Sequence, residues 1–257
     1  MKHERKVIPL NEFMSLMALT VDSIEVELEA MTGLQYDGFD IQASEFMKYA
    51  ELDLEQGTTQ GLINALSNAK RAIDCQVDSV LGCFGLLSRR NFPEKIKILG
   101  QLGIITPRIV NKVVKARNYL EHEFIKPERE QVEDSVDVAN LFINLLDSGL
   151  RNFWSDYSID AVADKPDNEG NEYKNKWLNV EYDSEGKQYK LSGAIYTKPS
   201  NPDAPEIPLT MQTIIKPKEK GFIELARLSF SLDKPSFETE INKQVAQFVQ
   251  LFVSGNP

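Results

Sequence analysis

Along the first 155 residues the apolar positions recur at steps of three and four, the spacing that lines one face of a helix. Leu10, Phe13, Met17, Val21, Ile24, Leu28 and Met31 keep this rhythm between Pro9 and Gly33 and predict a first helix with glycine as its stop. A short helical stretch is expected after Ser44, broken at Gly57-Thr58-Thr59. Leu62, Leu66, Ala69, Ile73, Val77, Val80, Phe84 and Leu87 form the stripe of a long helix. Asn91-Phe92-Pro93 opens a short one. Thr106-Pro107 opens another, with threonine as cap and proline in the first turn, which must end near Pro127. Val132, Val136, Ala139, Ile143, Leu146, Leu150 and Phe153 predict the last helix of this part.

The pattern changes after Trp154. Residues 164–176 are polar and include Pro166, Asn168, Gly170 and Asn171, a loop composition. Trp177 to Asp183 and Gln188 to Tyr196 alternate around Ser184-Glu185-Gly186, a hairpin signal. Pro199, Pro202, Pro205 and Pro208 interrupt regular structure, after which Leu209 to Ile215 and Phe222 to Leu232 predict a second strand pair. Ser236 can cap a closing helix bearing Phe237, Ile241, Val245, Phe248 and Phe252. The expected fold class is α+β: an N-terminal all-α helical bundle over residues 1–155, a linker over 156–176, and a small antiparallel β-sheet domain with a C-terminal helix over 177–257, serving recognition or regulation.

Composition supports a folded chain. Of 257 residues 42% are apolar and 26% charged, ordinary globular proportions. No apolar run reaches the roughly 18 residues of a membrane span, and Lys2, Arg5 and Lys6 have no apolar stretch behind them to make a leader. A cytoplasmic protein without a membrane partner is expected. Cys75 and Cys83 stand eight apart on a predicted helix, about 12 Å, too far for a disulfide. Histidines are only two, His3 and His122, so zinc clusters and multi-histidine sites lack ligands. No glycine-rich phosphate loop is present, and Asp37, Asp40 and Glu45 lack calcium-loop spacing. Neither a metal nor a cofactor is expected.

Net charge is −10, against a generic nucleic-acid binder, but the charge is segregated. Arg89, Arg90, Lys95, Lys97, Arg108, Lys112, Lys115 and Arg117 face only Glu94 among the acids of residues 89–117. An acidic body with one basic segment can still hold a polyanion locally.

The chemistry concentrates at Ala116-Arg117-Asn118-Tyr119-Leu120-Glu121-His122-Glu123-Phe124. On a helix Arg117 pairs with Glu121 and Asn118 with His122, while Arg117 and His122 lie roughly 140° apart at about 100° per residue. One straight helix does not aim both at a small target, whereas two copies across a two-fold axis do, as does a helix that ends before Pro127. An i,i+4 ion pair beside a helix-end histidine is the purely structural account of the same residues.

This segment resembles the signature of the HEPN superfamily (higher eukaryotes and prokaryotes nucleotide-binding): arginine, a polar residue, a few further positions, histidine. Lys70-Arg71-Ala72-Ile73-Asp74-Cys75-Gln76 on the preceding long helix and Leu102-Gly103-Ile104-Ile105 leading in are similar too, and the resemblance covers about residues 40–155. It implies a helical homodimer acting as a metal-independent endoribonuclease of the toxin or phage-defence type, with Arg117, Asn118 and His122 as catalytic residues. Lys112, Lys115, Arg108 and Glu121 would line the RNA path, and an inhibitory antitoxin or a trigger protein would be the regulatory partner. The alternative is a non-catalytic dimerisation and nucleotide- or RNA-binding module carrying a C-terminal sensor domain.

Overall fold

A computed structural model describes residues 6–17, 24–105, 127–161, 176–195 and 209–232, and within the C-terminal stretch positions 243, 245, 247 and 248. The chain divides into two compact units. Leu34–Asn152 forms one, and Met1–Gly33 joins Phe153–Pro257 in the other.

Among the described residues of Leu34–Asn152 the regular elements are all helices: α2 (Ala43–Glu55), α3 (Thr59–Cys83), α4 (Phe92–Gln101) and α5 (Arg129–Arg151). Three of the four starts have a local cause in a side-chain contact. The Glu45 carboxylate accepts the Gln42 backbone N–H at 3.0 Å to open α2. Thr58 Oγ1 accepts the Gly61 N–H at 3.0 Å to open α3, and Asn91 Oδ1 accepts the Glu94 N–H at 3.0 Å to open α4, with Pro93 in the first turn. Gly57, at φ 65°, takes the left-handed turn between α2 and α3. The long α3 is the axis of the unit and is packed by α2, α4 and α5. Its predicted stripe is buried from Leu62 to Phe84, whereas Leu87 lies beyond the helix end and is exposed; small residues Ala65, Ala69 and Ala72 let neighbouring helices approach closely.

The other unit is a six-stranded mixed sheet in the order β1-β6-β5-β4-β3-β2, where β1 is Lys6–Val7, β2 Ile24–Met31, β3 Trp154–Ala161, β4 Lys176–Asp183, β5 Gln188–Ile195 and β6 Leu209–Ile215. β1 runs parallel to β6, and every other neighbouring pair is antiparallel. Helices α1 (Leu10–Met17) and α6 (Phe222–Ser231) cover one face. Tyr157, Ile159, Leu178, Val180, Tyr189 and Leu191 point into that face and are fully buried. Tyr182, Tyr189, Phe153, Phe222 and Phe230 form an aromatic cluster with ring centroids 4.9 to 6.5 Å apart. At the covered face a Cβ on Gly193 would lie 2.8 Å from Met17 Sδ, so the bare backbone is what lets α1 sit down.

This architecture overturns the expected fold class. The sheet is no small antiparallel domain following an N-terminal bundle: both of its edge strands come from the first 31 residues, and its central strands from beyond α5. Residues 24–31, expected to be helix, form β2. Their sequence, Ile-Glu-Val-Glu-Leu-Glu-Ala-Met, alternates as well as it fits a helical stripe, and pairing with β3 decides between the two periods. Residues 156–161, assigned to a linker, are most of β3, and the helix expected to run through Phe153 stops at Arg151. Phe222–Ser231, expected to be a strand, is α6: Phe222, Leu225, Ala226 and Ser229 are buried at helical spacing, and Gly221 at φ 93° turns the chain into it. The 177–195 hairpin and the 209–215 strand are where the alternation put them. Positions 243, 245, 247 and 248 are helical, with Val245 and Phe248 buried.

Candidate functional site

The sequence-predicted site falls on residues 106–126. Arg117, Asn118, His122, Glu121, Lys112, Lys115 and Arg108 all lie outside the described residues, as does the helix expected from Thr106-Pro107. What the structure does define is the frame on both sides. The segment leaves Ile105, just beyond α4, and re-enters at Pro127, just before α5, so both its ends belong to the helical unit.

The described part of the basic run is unevenly available. Lys95 is spent within the fold: its Nζ lies 2.6 Å from Asp78 Oδ1 and 2.9 Å from Oδ2, tying α4 to α3. Lys97 and Arg89 are exposed and Arg90 half-buried. On the far side, α5 begins with Glu130, Glu133, Asp134 and Asp137, where Arg129 pairs with Glu133 at 2.7 Å. A polyanion meeting this frame would therefore be drawn to the α4 side and turned away from the start of α5.

Other reactive groups are quiet. Cys75 and Cys83 are free thiols, and burial pushes the Cys75 thiol up, away from the thiolate a nucleophile needs. Among the described residues no three acids, histidines or cysteines group to hold a metal ion.

No family model, no curated protein and no solved structure matches this chain. Function is therefore argued from its own residues.

One polar sheet face escaped the sequence reading. On the sheet face opposite α1 and α6, β3 presents Trp154, Asp156, Ser158 and Asp160, with Asn179 and Glu181 across from it on β4. The signal was the two-residue period of Trp-Ser-Asp-Tyr-Ser-Ile-Asp-Ala, hidden because it directly follows the long stripe of α5.

Proposed function

We propose that the protein is a metal-independent endoribonuclease of the toxin or phage-defence type, acting as a homodimer in the cytoplasm. The observation that carries this reading is the Arg117-Asn118-x-x-x-His122 segment, the interior site of the chain's histidine chemistry, set between helices α4 and α5 of an all-helical described frame. The frame supports the reading because such a motif, on a helix near its end, needs a rigid bundle to hold two copies across a shared cleft.

In this chemistry the 2′-hydroxyl of RNA attacks its own 3′-phosphodiester. A P–O2′ bond forms, the P–O5′ bond breaks, and a 2′,3′-cyclic phosphate and a 5′-hydroxyl result. His122, whose ordinary range lies near neutrality, moves the proton between the attacking and leaving oxygens. Arg117 places its planar fork on the phosphate as charge accumulates, and Asn118 orients the imidazole or the phosphate. Lys112, Lys115, Arg108 and Glu121 line the RNA path, the three cations carrying the flanking phosphates. An antitoxin or trigger protein would restrain or release this activity.

The test is RNA cleavage by purified protein in the presence of a chelator, with the cyclic phosphate identified at the new end. His122→Ala should lower the rate by about 10² to 10⁴. Cleavage that survives in His122→Ala belongs to a contaminant and defeats the proposal. The net charge of −10 favours a second reading, a non-catalytic dimerisation and RNA- or nucleotide-binding module. Binding without turnover in both wild type and His122→Ala would select it.

A further inference from the structure

The two ends of the sheet are finished differently. β1, at one end, is two residues long and is followed by Pro9, which has no N–H to offer a further strand. β2, at the other end, runs for eight residues with neither proline nor lysine in it, and among the described strands only β3 pairs with it. Its register is unbroken from Ile24 opposite Ala161 to Leu28 opposite Tyr157, and the bulge falls after Leu28. The regular run Ile24–Leu28 therefore turns a row of backbone N–H and C=O groups outward, the template that an added strand uses.

The core beneath the sheet is also open at this edge. Val26 and Leu28 lie on the helix-covered face, opposite Ile159 and Tyr157, which are both fully buried. α6 rests on β3 and β5 and α1 on β6, which leaves β2 at the margin of their cover. Leu28 keeps 36% of its surface exposed, and Val26 is half-buried. A strand beyond β2 would set its own apolar side chains beside these two, at the same two-residue spacing.

Charge decides what that strand is. Glu25, Glu27 and Glu29 alternate along β2, β3 adds Asp156 and Asp160, and neither strand contains a cation. A second copy of the chain, paired about a two-fold axis, sets positions of the same face against one another, so glutamate positions would meet glutamate positions. Like charges directly opposite are destabilising, and the edge repels itself. A basic strand meets the reverse situation.

We propose that the outer edge of β2 takes up an extended peptide segment of a partner protein by strand addition. The segment carries Lys or Arg at every second position, against the glutamates, and apolar residues between them, beside Val26 and Leu28. Main-chain hydrogen bonds along Ile24–Leu28 supply the affinity and the alternating side chains the specificity. The site lies within the sheet unit and does not depend on the ribonuclease reading.

The probe is a fluorescein-labelled heptapeptide alternating lysine and valine, titrated into the full chain by anisotropy, with hydrogen exchange to locate it. Saturable binding is expected, and the amides that gain protection should be those of Ile24–Leu28. The same peptide with alternate amides N-methylated does not complete the ladder and should bind about tenfold more weakly or worse. Glu27→Lys should weaken the lysine peptide about several-fold and favour a peptide alternating glutamate and valine. Should the reversal disturb the fold, Glu27→Gln should still weaken the lysine peptide. No saturable binding, equal binding of the N-methylated peptide, or indifference of both Glu27 variants would each overturn the proposal. So would protection gained elsewhere, amides of the run all protected already in the free chain, or a dimer of the chain joined through β2.

Discussion

The Lys95 ammonium sits on the Asp78 carboxylate at 2.6 Å, with both side chains largely withdrawn from solvent, and this pair fastens the short α4 to the axial helix α3. Removing one partner leaves the other partly buried and unpaired, a larger loss than deletion of a surface pair. Asp78→Ala should cost about 1–2 kcal/mol of unfolding free energy once partial exposure is allowed for. Urea unfolding followed by circular dichroism reads this. A cost near zero would mean that α4 is held by its apolar face alone.

The same pair separates the lysines by role. Lys95→Ala should lower stability and leave RNA affinity nearly unchanged. Lys112→Ala or Lys115→Ala should weaken RNA binding modestly and reduce the slope of log K against log salt by about 1. Arg117→Lys should recover little of the activity lost in Arg117→Ala, because a point charge does not reproduce the fork. Filter binding at several salt concentrations and cleavage rates test both statements.

Gly193 leaves room for α1 on the sheet. A Cβ there would meet Met17 Sδ at 2.8 Å and Phe13 Cζ at 3.1 Å. The thioether can swing aside but the ring is hemmed in, so Gly193→Ala should be mild and Gly193→Val should cost about 1–3 kcal/mol by overpacking. Thermal melts of the two variants should fall in that order. Equal melts would show that α1 is not seated by this contact.

Tyr157 and Tyr189 are fully buried, and desolvation pushes both hydroxyls well above their ordinary range; Tyr189 OH lies 3.4 Å from Ser229 Oγ. A raised folded-state pKa favours the protonated form. The stability it brings is whole below the unfolded value, about 10, and is lost as pH climbs above it. Spectrophotometric titration of the eight tyrosines should therefore show two that ionise only with alkaline unfolding. Tyr157→Phe should flatten that alkaline loss. Normal, reversible ionisation of all eight would contradict the burial.

Asp183 behaves in the opposite sense at the tip of the β4–β5 hairpin. Its Oδ1 accepts the Gly186 N–H at 2.9 Å and its Oδ2 lies 3.0 Å from Lys190 Nζ, which together hold the carboxyl below its usual range. The resulting stabilisation is present above the ordinary carboxylate pKa and disappears as pH falls through the lowered value. Asp183→Asn should reduce the acid sensitivity of the hairpin. Hydrogen exchange at Gly186 between about pH 2 and 6 would register it, and an unchanged profile would count against the turn contact.

Local signals carried much of the architecture. The break at Gly57-Thr58-Thr59, the helix opening at Asn91-Phe92-Pro93, the stripe from Leu62 to Val80 and the tight turn at Ser184-Glu185-Gly186 are short-range devices, legible because their physics lies within a few residues. The candidate chemistry at Arg117 and His122 lies outside the described residues and stays a reading of residue type, spacing and the resemblance they carry. Residues 24–31 were a different case. Their apolar positions satisfy both the helical and the alternating period, and only β3, more than 120 residues later in the chain, supplies the edge that makes strand the lower free energy. For Phe222–Ser231, an apolar run consistent with a strand became a helix because β3, β4 and β5 offer it a face to cover. Sequence therefore determined the elements whose stabilising partners are near in the chain. Tertiary structure decided those whose partners are far, and with them the polar face of β3, which exists only where distant strands are brought into register.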